Sequence, residues 1–178
     1  MTDDPRSVLV IAYYVPPMGL SGVQRTMKFV KYLPTMGWKP TVLTVEPGGY
    51  YAFDPTLLQE VEEVGVEIIR TGSRDANRLL RRRKVVKVPS ERLRKFLQFC
   101  GDLFFIPDTK IGWRRPALKA ASALLKRQRF NLLFATAPPQ TGFLIGLKLQ
   151  KKYRVPLVVE YRDSWLEYPF KYFPTPLH

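Results

Sequence analysis

The stretch PPMGLSGVQR, residues 16–25, sets two glycines beside a hydroxyl and a guanidinium. Gly19 and Gly22 let a backbone come close to a ligand, and Ser21 stands where a helix begins. Free N–H groups at a helix start, together with the helix dipole, favour an anion. Arg25, one turn further on, adds a bidentate phosphate donor. The same residues also suit a plain capped turn, in which Ser21 caps and the glycines only bend the chain. Both readings stay open on pattern alone. A second stretch, EYRDSW at 160–165, puts Glu160, Arg162 and Asp163 at the end of an apolar run. A carboxylate beside a guanidinium acts as a base, holds a hydroxyl, or forms a structural ion pair. At a strand end facing a crevice the functional roles are favoured. A third stretch, ATAPPQTG at 135–142, offers a second helix start. There Pro138 and Pro139 stiffen the turn, and Thr136, Gln140 and Thr141 can hydrogen-bond; a plain strand-to-helix turn is the favoured reading for any one of them.

Other chemistries are excluded by what is missing. The single histidine is His178, the last residue, so a Ser-His-Asp triad, a zinc site and a histidine base are all disfavoured. Cys100 is the only cysteine, lies on an apolar helical face and reads as core. No G-x-G-x-x-G and no G-x-x-x-x-G-K-[S/T] occurs, so dinucleotide and P-loop readings are weak. There is no D-x-D triad for a metal–nucleotide, and no metal site is expected.

The 178 residues are 46% hydrophobic and 13% aromatic, enough for one packed core and too apolar for a disordered chain. No apolar run reaches the length of a membrane span. The opening MTDDPRS is acidic and polar, unlike a secretory leader. A cytoplasmic location is expected, with peripheral contact at the inner face of the membrane. The formal charge is +14, and residues 71–130 hold 17 of the 29 basic residues against 4 acidic ones. Such asymmetry points to a polyanionic partner. The basic segment RLLRRRKVVKVPSERLRKFLQFC is the candidate surface, through Arg81, Arg82, Arg83, Lys84, Arg92, Arg94 and Lys95. With Phe96, Leu97, Phe99, Phe104 and Phe105 it can lie on an anionic membrane. Packing of the same stripe on the domain stays equally open. Nucleic acid is disfavoured, because no aromatics are interleaved with the arginines.

The remaining elements position these residues. SVLVIAYY (7–14), PTVLTV (40–45), VEIIRT (66–71), NLLFAT (131–136) and PLVVEY (156–161) read as strands buried on both faces. Helices are expected over 23–33, with Pro34 and Gly37 ending the first. Others are expected over 56–64, from Glu91 to Phe104, from Pro116, and from after Gln140 to about Tyr153. In the last, Phe143, Gly146, Leu147 and Gln150 are placed inward, with Lys148, Lys151 and Lys152 outward. Residues 72–90 read as a loop or arm, and Gly142 with Gly146 as a close helix–sheet contact. Alternating strands and helices mean an α/β fold, a mainly parallel sheet covered on both sides, in the Rossmann-like order 3-2-1-4-5. The loops after strands 1, 4 and 5 then meet at one crevice. An open sheet edge also offers a route to self-association.

The stretch YYVPPMGLSGVQRTMKFVKYLPTMGWKPTVLT resembles the opening of family-4 glycosyltransferases of the GT-B fold. FIPDTKIGWRRPALKAA resembles their "PD…W…A" element, and FNLLFATAPPQTGFLIGLKLQKKYRVPLVVEYRDSW resembles their "T-x-P-P…D-x-R-D-x-W" stretch. The likeness runs in order over residues 7–166. It implies the N-terminal, acceptor-side domain of a three-layer GT-B enzyme, followed by an aromatic, proline-rich tail at 167–178. The C-terminal nucleotide-sugar domain would be absent, so these residues alone would be inactive. By that resemblance Gly19, Ser21, Gly22 and Arg25 face the donor diphosphate. Asp163 and Arg162 face the reacting centre, and Thr136, Pro138, Gln140 and Trp165 the acceptor. The implied partners are a nucleotide-sugar donor, as substrate with no separate cofactor, and a glycan or glycolipid acceptor in cell-envelope polysaccharide synthesis. The chemistry would be metal-independent. Many relatives carry a histidine at these strand ends and this chain has none, so no catalytic base is assigned. The alternative is a non-enzymatic module that binds an anionic membrane or nucleic acid through the basic arm.

Overall fold

The computed structural model describes residues 6–19, 21–48, 54–75, 99, 101 and 103–163. Within them five parallel strands form one sheet: β1 (Arg6–Ile11), β2 (Trp38–Val45), β3 (Glu67–Thr71), β4 (Leu132–Ala137) and β5 (Leu157–Tyr161), in the order β3-β2-β1-β4-β5. This is the expected Rossmann-like arrangement. The helices are α1 (Ser21–Tyr32), α2 (Pro55–Glu62), α3 (Arg114–Arg127) and α4 (Thr141–Tyr153).

The apolar runs of β1 and β2 became strands because both faces are covered. β5, expected to be buried on both faces, is not, because Val158, Val159 and Tyr161 are exposed. Alternate residues of β1 divide between two cores. Leu9 and Ile11 join Leu43, Leu133, Ala135, Trp113, Ala117, Ala121, Ile145 and Leu149 on the α3–α4 side. Val8 and Val10 join Val42, Val23, Met27, Val30, Leu57 and Val61 on the α1–α2 side. β1 is shorter than the expected 7–14. Ala12 N–H still bonds Leu43 O at 3.1 Å, but at Tyr13 the carbonyl is taken by the Thr44 hydroxyl at 3.0 Å, and the ladder ends.

Pro34 acts as expected. α1 stops at Tyr32, a 3₁₀ turn with Pro34 in its first positions covers Leu33–Met36, and Gly37 follows at φ 74 in the left-handed region. α2 starts on Asp54, whose carboxylate accepts from Thr56 N–H (3.1 Å) and Leu57 N–H (3.2 Å).

One further expectation is corrected. Leu147 of α4 is 42% exposed, and Ile145 and Leu149 take the inward positions with Phe143 and Gly146. Two glycines set this rotation. A Cβ on Gly146 would lie 2.9 Å from Leu157 Cδ1, and one on Gly142 would lie 3.3 Å from Thr136 O, so this stripe of the helix lies against the sheet. The loop or arm expected over 72–90 has no helix or strand in its described residues, 72–75, and Asp75 within them is buried. The helix expected from Glu91 to Phe104 and the core reading of Cys100 fall mostly or wholly outside the described residues. Arg81, Arg82, Arg83, Lys84, Arg92, Arg94, Lys95, Trp165 and the 167–178 tail lie outside them as well. No helix among the described residues is long and apolar enough to cross a membrane.

Candidate functional site

The sheet order reverses between β1 and β4, and the loops leaving β1, β4 and β5 converge at that carboxyl edge. The β1 loop is held in place by its neighbours. Arg70 Nη2 donates to Pro16 O at 2.6 Å, and Asp54 N–H donates to Pro17 O at 2.9 Å. Gly19 is half-buried in this loop, and Ser21 and Gly22 open α1.

Arg162 reaches across from the end of β5 onto that helix start. A Cβ on Gly22 would lie 1.7 Å from Arg162 Nη1 and 3.0 Å from Cζ, so the guanidinium occupies the space that any other residue would fill. The Arg162 backbone N–H bonds Ala137 O at 3.3 Å, which ties the β5 end to the β4 loop. Arg162 Nε and Nη2 both donate to Asp163 Oδ2, at 3.2 and 3.1 Å. One turn into α1, Arg25 Nη2 pairs with Glu160 Oε1 at 2.7 Å. The start of α1 and the acidic–guanidinium cluster thus lie together.

The electrostatics of this corner are unusual. A helix N-terminus carries partial positive charge and commonly holds Asp or Glu in its first turn. α1 has no acidic residue there. A guanidinium sits there instead. Asp163, with its side chain 55% exposed, is the paired anion. Arg25, expected to point at phosphate, has Glu160 as its partner.

The second helix start is already filled. Asp108, from the PDTK turn, accepts from Thr141 N–H (Oδ2, 2.8 Å), from Thr141 Oγ1 (Oδ1, 2.9 Å) and from Lys110 N–H (Oδ1, 2.8 Å). The chain's own carboxylate therefore caps the start of α4. Thr136 is buried, whereas Pro138 and Gln140 are half-buried at the rim. Asp108→Ala removes all three bonds and is expected to lower stability by about 1–2 kcal/mol. Urea unfolding checks this, and an unchanged midpoint would contradict the cap.

Sequence reasoning missed a buried polar cluster beside this cap. Asp75 accepts from the Tyr13 hydroxyl at 2.5 Å and the Ser73 hydroxyl at 2.6 Å, both on Oδ2, while its buried Oδ1 has no hydrogen-bond partner. Lys110 is 8% exposed, with its ammonium 5.6 Å from the Tyr13 ring centroid. Its partners lie up to 97 positions away in the chain, and no local pattern signals them. Burial pushes the Lys110 ammonium below its ordinary value of 10.5, and Asp75 and Asp108 pull it back up. The folded state then binds fewer protons than the unfolded one between the lowered value and 10.5. Stability therefore rises with pH through that window. Lys110→Met is expected to remove this alkaline gain, and unfolding measured from neutral pH upward checks it. A parallel pH profile in both proteins would refute it.

No family model matches the sequence, and no curated protein matches it. Among solved structures, a "glycotransferase of kitacinnamycin" is similar over 88% of this chain and 30% of its own, at 12% identity and a TM-score of 0.45. The C-terminal domain of a hydrogenase from Pyrococcus furiosus is similar over 89% of this chain and 93% of its own, at 16% identity and a TM-score of 0.41. This chain therefore spans less than a third of the first structure's length. At these values neither likeness says what this chain acts on.

Proposed function

We propose that this chain is the acceptor-side domain of a nucleotide-sugar-dependent glycosyltransferase of the family-4, GT-B kind. Its carboxyl-edge crevice takes the donor's diphosphate and presents a glycan or glycolipid hydroxyl to it, in cell-envelope polysaccharide synthesis. The observation that carries the reading is the Arg162 guanidinium packed on Gly22 at the acid-free start of α1. Two positive features meeting at one point are unfavourable to each other and favourable to a phosphate. Asp163 holds that guanidinium through one oxygen and yields when a phosphate takes its place. Glu160 and Asp163 are the carboxylates within reach of an acceptor hydroxyl. Catalysis in this arrangement rests on positioning and on stabilising the departing diphosphate. The sequence resemblance over residues 7–166 supports the same assignment.

Calorimetric titration of pyrophosphate and of nucleoside diphosphates into the full chain tests it. Binding is expected, with an affinity at least about tenfold lower in Arg162→Met, the scale of one lost charged hydrogen bond. Equal affinity in both proteins, or no binding by the parent chain, would remove the phosphate site and the reading with it.

A further inference from the structure

We propose that the outer face of α3 and α4 is a docking surface for an anionic lipid bilayer. Between Arg114 and Val159 the chain carries ten Lys and Arg residues and no Asp or Glu. All ten are exposed. Helical periodicity puts Arg115, Lys119 and Lys126 on the side of α3 opposite the buried Ala117 and Ala121. Lys148 and Lys151 stand on α4 away from the buried Gly142, Ile145 and Leu149. The Tyr153 hydroxyl donates to Ser122 O at 3.4 Å, so the two cationic stripes run side by side. The ion pairs Arg25–Glu160, Lys28 and Lys31 with Glu60, and Arg162–Asp163 use no cation of this face.

Helix chemistry explains only part of the pattern. Lys126, Arg127, Lys151 and Lys152 suit the carboxyl-terminal turns, where the dipole favours cations. Arg114 and Arg115 stand at the opposite end of α3, where the dipole opposes them, and Lys119 and Lys148 stand in mid-helix. A broad positive face with no acidic partner among the described residues fits an extended negative surface. A bilayer fits better than a nucleic acid, because Leu147 stands 42% exposed beside Lys148 and Lys151. An aliphatic side chain gains from entering a headgroup layer and gains nothing from a phosphate backbone. This surface differs from the arm at 81–95, and it does not depend on the sugar-transfer reading.

Sedimentation of the full chain with vesicles of phosphatidylglycerol and phosphatidylcholine tests the proposal, against vesicles of phosphatidylcholine alone. Binding to the anionic vesicles is expected, and it weakens with added salt. Each neutralised cation is expected to weaken it by about fivefold, so Lys119→Gln/Lys126→Gln/Lys151→Gln loses about a hundredfold. Circular dichroism verifies that this surface variant is folded. Lys28→Gln/Lys31→Gln, on the opposite layer, is expected to change vesicle binding less than about twofold. Leu147→Ser lowers vesicle binding and leaves binding to duplex DNA unchanged. Parent-like vesicle binding by the triple variant would overturn the proposal. So would duplex DNA bound more tightly than vesicles with the same sensitivity to the triple change. Neither result bears on pyrophosphate binding at the crevice.

Discussion

Trp113→Ala lowers the free energy of unfolding by about 3–5 kcal/mol, the range for truncating a large aromatic side chain in a packed interior. Trp113 is fully buried, with its ring edge-on to Tyr13 at 5.4 Å between centroids. Its indole N–H donates to Thr71 Oγ1 at 2.8 Å, and that hydroxyl in turn donates to Thr44 O at 3.3 Å. One side chain therefore joins the PDTKIGW turn to the ends of β2 and β3. The neighbouring Gly112 brings the turn against the β3 exit so closely that a Cβ there would lie 2.4 Å from the Arg74 carbonyl carbon. Little room exists for the cavity to collapse, which favours the upper part of the range. Domains of this kind are stable by only about 5–15 kcal/mol, so the variant loses a large share of its stability. Trp113→Phe keeps an aromatic ring but loses the bond to Thr71 Oγ1, which still donates to Thr44 O, with an expected cost of about 1–3 kcal/mol from the lost bond and lost ring volume. Urea denaturation measures both, and a loss below about 1 kcal/mol for the alanine variant would contradict the packing described.

Gly22→Ala lowers pyrophosphate affinity as much as Arg162→Met does, by at least about tenfold, while leaving the fold in place. The new methyl group enters the space of Arg162 Nη1, and the guanidinium is the far end of a flexible side chain. It swings away, and the helix start loses its cation. Gly22 lies in the first turn of α1 and takes no left-handed conformation, so alanine suits the backbone. Stability changes by under about 1 kcal/mol. The double variant Gly22→Ala/Arg162→Met binds no worse than either single one, because both remove the same contact. Additive losses in a double-mutant cycle would show that Gly22 and Arg162 act independently, and the site as described would not exist.

Much of this architecture is legible in the residues. Strands such as VLVI and TVLTV are apolar on both faces, and only a sheet covered on both sides accepts them. Helical runs between them force parallel pairing, and the strand order followed. Pro34 and Gly37 end a helix by local rules, and the structure agrees. Local rules failed where a distant partner decided the outcome. The turn at 138–142 has the same sequence character whether its N–H groups await a ligand or a carboxylate, and Asp108 decides it. Likewise, counting helical positions placed Leu147 inward, whereas the approach of Gly142 and Gly146 to the sheet turned it out.

The sequence by itself determined the layers, the strand order and the edge where the glycine loop and the Arg162–Asp163 pair meet. These depend on hydrophobic periodicity and on turn residues, which act over a few positions. Only the tertiary structure decided which charges face one another. Arg25 with Glu160, Arg162 on Gly22, and Tyr13 with Asp75 join residues from 62 to 140 positions apart. Coulomb attraction and hydrogen bonding depend on distance in space, and distance along the chain does not fix it.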